Sequence, residues 1–140
     1  MEASTLIRTV ALGDLPWLLS LAHERYRDFD PGRTLAWLAQ TLQNEWMRAE
    51  RSDDAFCISS ILTPAWHPKE PECHVLFLCT AEGKHWQGIS LLRSSIAWAK
   101  GKGCVRWWFS SETEHSIEQL ALRVGAQPSV MRYKLDLGDG

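Results

Sequence analysis

The chain lacks a charge excess of either sign: 15 Lys and Arg stand against 17 Asp and Glu, a formal charge of −2 over 140 residues. That argues against a general polyanion binder, which carries a marked basic excess, and nucleic acid is not an expected partner. A local basic patch is not excluded by net charge. Paired cysteines are missing too. Cys57, Cys73, Cys79 and Cys104 form no C-x-x-C, which argues against a zinc site or a dithiol redox motif, so no metal is expected. No N-terminal apolar stretch resembles a signal peptide, and no run approaches membrane-spanning length. The expected setting is therefore the cytoplasm, with no membrane partner and with the cysteines as buried free thiols. There is no G-x-S-x-G elbow, P-loop or H-E-x-x-H, and no repeat, low-complexity tract or linker. Residues 1–140 are expected to form a single domain, large enough to bury a core unaided.

What the chain does have is tryptophan. Eight are present, in a composition that is otherwise that of an ordinary globular protein, 45% hydrophobic and 23% charged. Most are expected to fill core, with Trp66 and Trp86 as exceptions because they fall in loops. Residues 5–10 alternate like a strand. Leu15, Leu18, Leu19, Ala22 and Tyr26 recur at helical spacing over 15–27. Phe29–Gly32 breaks that helix, and a second is expected over 34–49 with Leu35, Leu38, Leu42 and Trp46 as its stripe. Arg51–Asp54 reads as a turn and Ala55–Leu62 as a strand. The proline-rich loop TPAWHPKEPE follows, then a strand over His74–Cys79 that is apolar nearly throughout. A helix over 88–100 is striped by Ile89, Leu92, Ile96 and Ala99 and stopped by the glycines of GKGC. A strand over Val105–Ser110, a short helix over Ser116–Val124 and a last strand over Val130–Leu137 complete the order βααβββαβαβ, give or take one strand. The class is mixed α/β.

That order, and the segments VLFLCT, AEGKHWQG and ISLLRSSIAWAKGKGC in particular, resemble the acyl-CoA-binding core of the GCN5-related N-acetyltransferases. The resemblance covers nearly the whole chain. LIRTVALGDLPWLLSLAHERY is similar to the family's first strand and helix, and AFCISSILTPAWHPKEPECHVLFLCT to the two long antiparallel strands before the coenzyme site. It implies an acyl-CoA N-acyltransferase fold, α+β, with a central, mostly antiparallel sheet flanked by about four helices. It also implies acetyl-CoA as the coenzyme. In the family's loop pattern [RQ]-x-x-G-x-[GA], Gly83 falls on the Arg/Gln position, Trp86 on the first glycine and Gly88 on the second. Leu91 and Leu92 match the helix's leucine pair, and Gly103-Cys104 the closing pair.

Successive backbone N–H groups at a helix N-terminus can cradle a diphosphate because the chain packs close to the anion, and glycine permits that approach. The coenzyme-binding residues implied are backbone donors at Phe77 and Leu78 and the loop Gly83, Lys84, His85, Trp86, Gln87 and Gly88. Trp86 is expected to crowd the cradle or lie across it, with Lys84 and His85 supplying charge. Where many members carry a tyrosine that protonates the departing thiolate, counting back from Gly125 gives Ala121. Tyr133 lies too far along. Catalytic candidates are Glu72, Ser110 and His115, with Glu82 and Ser111 also in range. Each of these, like His67 in the proline-rich loop, also has a reading as an ordinary surface residue. His67, Cys73, His74 and Cys79 are close in sequence, but strand alternation splits Cys73 from His74. The same alternation separates Trp107 from Trp108, so Arg106-Trp107-Trp108 is not a nucleic-acid platform.

Three functions follow. The first is an N-acetyltransferase acting on a small amine or a protein amino group. The second is a catalytically inactive structural or interaction module with a protein partner. Such a module resembles, loosely, the acetyltransferase-like proteins of tailed phages, which would make it virion-associated if phage-encoded. The third is an acyl-CoA sensor without turnover.

Overall fold

The computed structural model describes residues 6–25, 30–109, 115–128, 135, 137 and 138, and of residues 115–118 the backbone alone. Its strands are β1 (Arg8–Thr9), β2 (Met47–Arg51), β3 (Ala55–Leu62), β4 (Glu72–Thr80) and β5 (Arg106–Phe109). Its helices are α1 (Leu15–Arg25), α2 (Pro31–Thr41), α3 (His85–Gly101) and α4 (His115–Arg123), with a single 3-10 turn at Leu12–Asp14. The strands form one sheet in the order β1-β2-β3-β4-β5, antiparallel except for the parallel β4–β5 pair. This is the expected mostly antiparallel sheet flanked by four helices. The expected last strand, with Tyr133, lies outside the described residues, as do Ser110 and Ser111.

Two hydrophobic layers sandwich the sheet. On one face, Leu18, Leu21 and Ala22 of α1 and Leu38 of α2 pack with Ala49, Phe56, Ile58 and Cys79. On the other, Leu91 and Leu92 of α3 and Leu120 of α4 pack with Ala55, Cys57, Val75 and Leu78. Asp14 ties the first layer to the sheet edge. Its carboxylate accepts both Arg8 terminal nitrogens at 2.7 Å, Arg51 Nη1 at 2.9 Å and the Ala11 N–H at 2.8 Å. The hydrogen bond from Arg8 leads the causes that hold its pKa far below the usual aspartate range. Arg51 also lies 3.4 Å over the Trp17 ring.

The expected helix over 34–49 is corrected at both ends. It starts earlier, because Asp30 caps it by accepting the Arg33 N–H at 3.1 Å and Pro31 takes the first helical position. It stops at Thr41, and Met47–Arg51 forms β2, opposite Phe56–Ser60 of β3. Asn44 makes the break. Its Oδ1 accepts the Trp46 N–H at 2.9 Å and its carbonyl the Met47 N–H at 3.1 Å, so a local turn competes with the helix. The tryptophan expectation is corrected as well. None of the eight is fully buried; Trp37, Trp46, Trp66 and Trp86 are exposed and the rest half-buried, while aliphatic side chains and Phe56 fill the core. Three of the four thiols are fully buried and none is bridged.

Candidate functional site

β3 and β4 pair with a shift in register: Ile58 faces Phe77, but Ser59 faces Val75. Leu76 is therefore the extra residue of a β-bulge, with no opposite residue on β3. The consequence is visible in the packing. Strict alternation would send Val75 and Leu78 to opposite faces, yet both pack on α3, because the bulge resets the count. Phe77 goes to the α1–α2 face, stacked on Phe56 with ring centroids 5.6 Å apart. Among the described residues, Val75 opposite Phe109 is the last β4–β5 pair, one residue before the bulge, and β4 runs on to Thr80. The expected donors Phe77 and Leu78 thus lie just past the bulge.

Beyond Thr80, Gly83 turns the chain at φ 77°, a conformation that favours glycine, and Lys84 caps α3. The helix begins at His85 rather than at 88, so most of the expected cradle is the first helical turn. The N–H groups of His85 and Trp86 have no i−4 carbonyl within the helix, and no side chain caps this end. Gln87 turns inward. Its Oε1 accepts Ser52 Oγ at 2.5 Å and the Asp54 N–H at 2.8 Å, and its Nε2 donates to Asp54 Oδ2 at 3.1 Å. Gly88 is also buried; a Cβ there would meet Leu120 Cδ1 and Thr80 Cγ2 at 3.3 Å and Leu78 Cδ2 at 3.5 Å. That glycine lets α3 approach β4 and α4. His85 Nδ1 lies 3.5 Å from Thr80 Oγ1.

The expectation for Trp86 is corrected. Trp86, Arg93, Ala97 and Lys100 form the exposed stripe of α3, opposite the Gly88–Leu92–Ser95–Ala99 face that meets the sheet. The indole, 43% exposed, belongs to the outer side of the helix and does not fill the space between α3 and β4. Among the described residues the helix end keeps two backbone donors without a partner, with Lys84 and His85 beside them, so the residues present suit a diphosphate.

Glu72 sits at the other end of β4. Arg106 Nη1 donates to its Oε2 at 2.7 Å and Trp108 Nε1 to its Oε1 at 3.0 Å, with His74 Nε2 3.7 Å from Oε1. Burial pushes this carboxyl up, but the hydrogen bonds from Arg106 and Trp108 and the neighbouring positive charge outweigh it, leaving it below the usual glutamate range. His74 stacks on Trp108, centroids 6.2 Å apart and planes at 17°. Parallel register explains the grouping: Glu72 faces Arg106 and His74 faces Trp108, so all four share one face, and Cys73 and Trp107 take the other. Trp107 donates instead to Ser95 Oγ at 3.0 Å.

Ser110 lies outside the described residues, and of His115 only the backbone is described. His115 opens α4, Glu82 is exposed in the turn before α3, Ala121 is half-buried on α4, and His67 pairs at 3.6 Å with Glu70 on the surface. Sequence reasoning missed Leu76, and it weighed His74 only as a metal ligand and Trp108 only as a nucleic-acid contact. Period-2 spacing was available to join Glu72 with His74 and Arg106 with Trp108; which strand lies beside which was not. Among the described residues no His, Cys, Asp or Glu cluster could hold a metal, and no helix is long and apolar enough to cross a membrane.

No family model matches the chain, and no curated protein matches it by sequence. Solved structures do match it. A transcriptional regulator from Bacillus halodurans C-125 superposes with TM-score 0.82 at 14% identity, covering 96% of this chain and 100% of that one. The aminoglycoside 6'-N-acetyltransferase AAC(6')-Ih from Acinetobacter baumannii gives 0.75 at 16%, over 96% and 100% of the two chains. AAC(6')-Iy in complex with the bisubstrate analog CoA-S-monomethyl-acetylneamine gives 0.78 at 16%, over 96% and 99%. The fold is that of the GCN5-related N-acetyltransferases.

Proposed function

We propose that this chain, built on the acyl-CoA N-acyltransferase fold, moves an acetyl group from acetyl-CoA to the amine of a small molecule or protein. One observation carries the reading: the Leu76 bulge breaks the β3–β4 register, and the same strand leads into the uncapped end of α3. Acetyl-CoA, when bound, supplies an acyl group activated as a thioester. The His85 and Trp86 N–H groups, with Lys84, hold its diphosphate. The β4 main chain at the Leu76 bulge receives the acyl end. On the acceptor side Glu72, fixed by Arg106 and Trp108, orients His74, whose Nδ1 takes the proton the amine loses as the C–N bond forms and the C–S bond breaks. Ser110 and His115, after β5 and at the start of α4, complete the set to be substituted.

A thermal-shift titration with acetyl-CoA tests binding. Saturation to 100 times Kd stabilises a fold by about 2.7 kcal/mol, which corresponds to a Tm rise of roughly 8 °C at this size. No shift at millimolar acetyl-CoA overturns the reading. Thiol release across a panel of amines tests turnover, and H74A is expected to lower kcat far more than KM. A second reading, coenzyme binding without turnover, is favoured by Ala121, which stands where many such enzymes carry a tyrosine acid. A thermal shift with no thiol release from any amine identifies it.

A further inference from the structure

Resting on the coenzyme reading above, we infer that Trp86 is a stacking platform for the adenine base of acetyl-CoA. The indole is at the second position of α3, on the solvent stripe, next to the two open backbone donors. Helical side chains lean toward the N-terminus, so a residue there covers the turn before it. That turn is open: a Cβ built on Gly83 would meet nothing within 4 Å. Of the exposed tryptophans, Trp46 has Lys102 5.5 Å over its ring, whereas among the described residues no ring or cation covers Trp86. A diphosphate held at this helix end would lie beside the outer stripe, where the indole is the aromatic surface at hand for the adenosine it carries. Stacking on a purine needs no hydrogen-bond readout, because every base has a π-face.

The stacking role and a crowding role predict opposite signs for the same substitution. Kd is measured for acetyl-CoA and for S-acetyl-4'-phosphopantetheine, which lacks adenosine, with wild type, W86A, W86L and W86F. Stacking predicts that W86A and W86L weaken acetyl-CoA binding by about 10-fold while W86F stays within about 3-fold of wild type, as base–aromatic contacts behave on truncation. The phosphopantetheine donor should bind all four proteins alike. Unchanged or tighter acetyl-CoA binding by W86A overturns the inference and leaves the coenzyme reading standing. Equal loss of both donors also overturns it, because the damage is then to the helix end. If wild type binds neither donor, the coenzyme reading itself falls and the stacking role with it.

Discussion

Replacing Gln87 by alanine isolates what holds the start of α3 against the sheet. Gln87 is 3% exposed and Ser52 2%. The amide joins the β2–β3 turn to the helix by accepting from Ser52 Oγ and the Asp54 N–H and donating to Asp54 Oδ2. Alanine removes all three bonds. The Ser52 hydroxyl retains a long contact to the Ala55 carbonyl at 3.4 Å, and the part-buried Asp54 N–H is left without its acceptor. A stranded buried donor costs about 1–3 kcal/mol, so the variant should lose about 2–3 kcal/mol. At roughly 3 °C per kcal/mol for a domain of this length, Tm should fall by about 6–9 °C. Q87E sharpens the test, because it keeps an acceptor for Ser52 and Asp54 while setting a carboxylate against the Asp54 carboxylate. Burial and that like charge raise the new carboxyl's folded pKa above its unfolded value. Its penalty is therefore present at pH 7 and shrinks as pH falls toward about 5. Urea melts at both pH values read the two effects. A loss below about 0.5 kcal/mol for Q87A, or a Q87E penalty that does not change with pH, would refute the claim that this amide seats the helix.

Asp14 has a folded pKa below its unfolded one, so its stabilisation is present above about pH 4 and lost as pH falls below the ordinary aspartate range; D14N should flatten that acid limb and cost about 2 kcal/mol at pH 7 in pH-dependent melts. Burial pushes the Cys57 and Cys73 thiols up to about 12 and about 11, and Cys79 is equally enclosed, so native protein should titrate with a disulfide reagent at Cys104 alone and only slowly. More than one rapidly reacting thiol before denaturation contradicts this packing. Ser95 Oγ meets Ser59 Oγ at 2.7 Å and the Trp107 N–H at 3.0 Å; S95A should cost about 1–3 kcal/mol, and a double-mutant cycle with S59A should show coupling rather than additivity.

The strands with one dominant signal were legible. Ala55–Leu62 matches its expected span to the residue, His74–Cys79 lies within two residues of β4, and the start of Val105–Ser110 lies within one residue of that of β5. Met47–Arg51 was not legible, because Met, Arg, Ala and Glu are good helix formers and Trp46 extends a heptad-like stripe from Leu35. Pairing with β3 overrides that local preference, and a single residue, Asn44, marks where it does so. The bulge was invisible for a different reason. Val75 to Cys79 is apolar at every position, so hydrophobicity cannot say which residue is extra. The Glu72–His74–Arg106–Trp108 group needed a parallel register between strands more than 25 residues apart in sequence, and spacing along one strand carries no such information.

Trp86 shows why matching a loop to a family pattern does not by itself decide what a position does. Matching set the indole against a glycine and so placed it in the cradle, but what faces the cradle depends on the rotation of α3 about its axis, at about 100° per residue. That rotation is fixed by polar contacts on the sheet side: Gln87 to the β2–β3 turn, Ser94 Oγ to both Glu50 carboxylate oxygens at 2.8 and 2.9 Å, and Ser95 to Ser59. Buried polar groups tolerate less sliding than methyl groups, because each has few partners and a steep cost when it loses them. With those three residues facing the sheet, Gly88 must meet β4 and Trp86 must face outward. A helix seated only by Leu91 and Leu92 could turn by one residue with little loss and bring the indole inward. The S95A and Q87A variants, by loosening this seat, should therefore decrease the fluorescence change of Trp86 on acrylamide titration relative to its W86F background. A Trp86 signal that is the same in both loosened variants as in wild type would show that the polar face does not set the rotation.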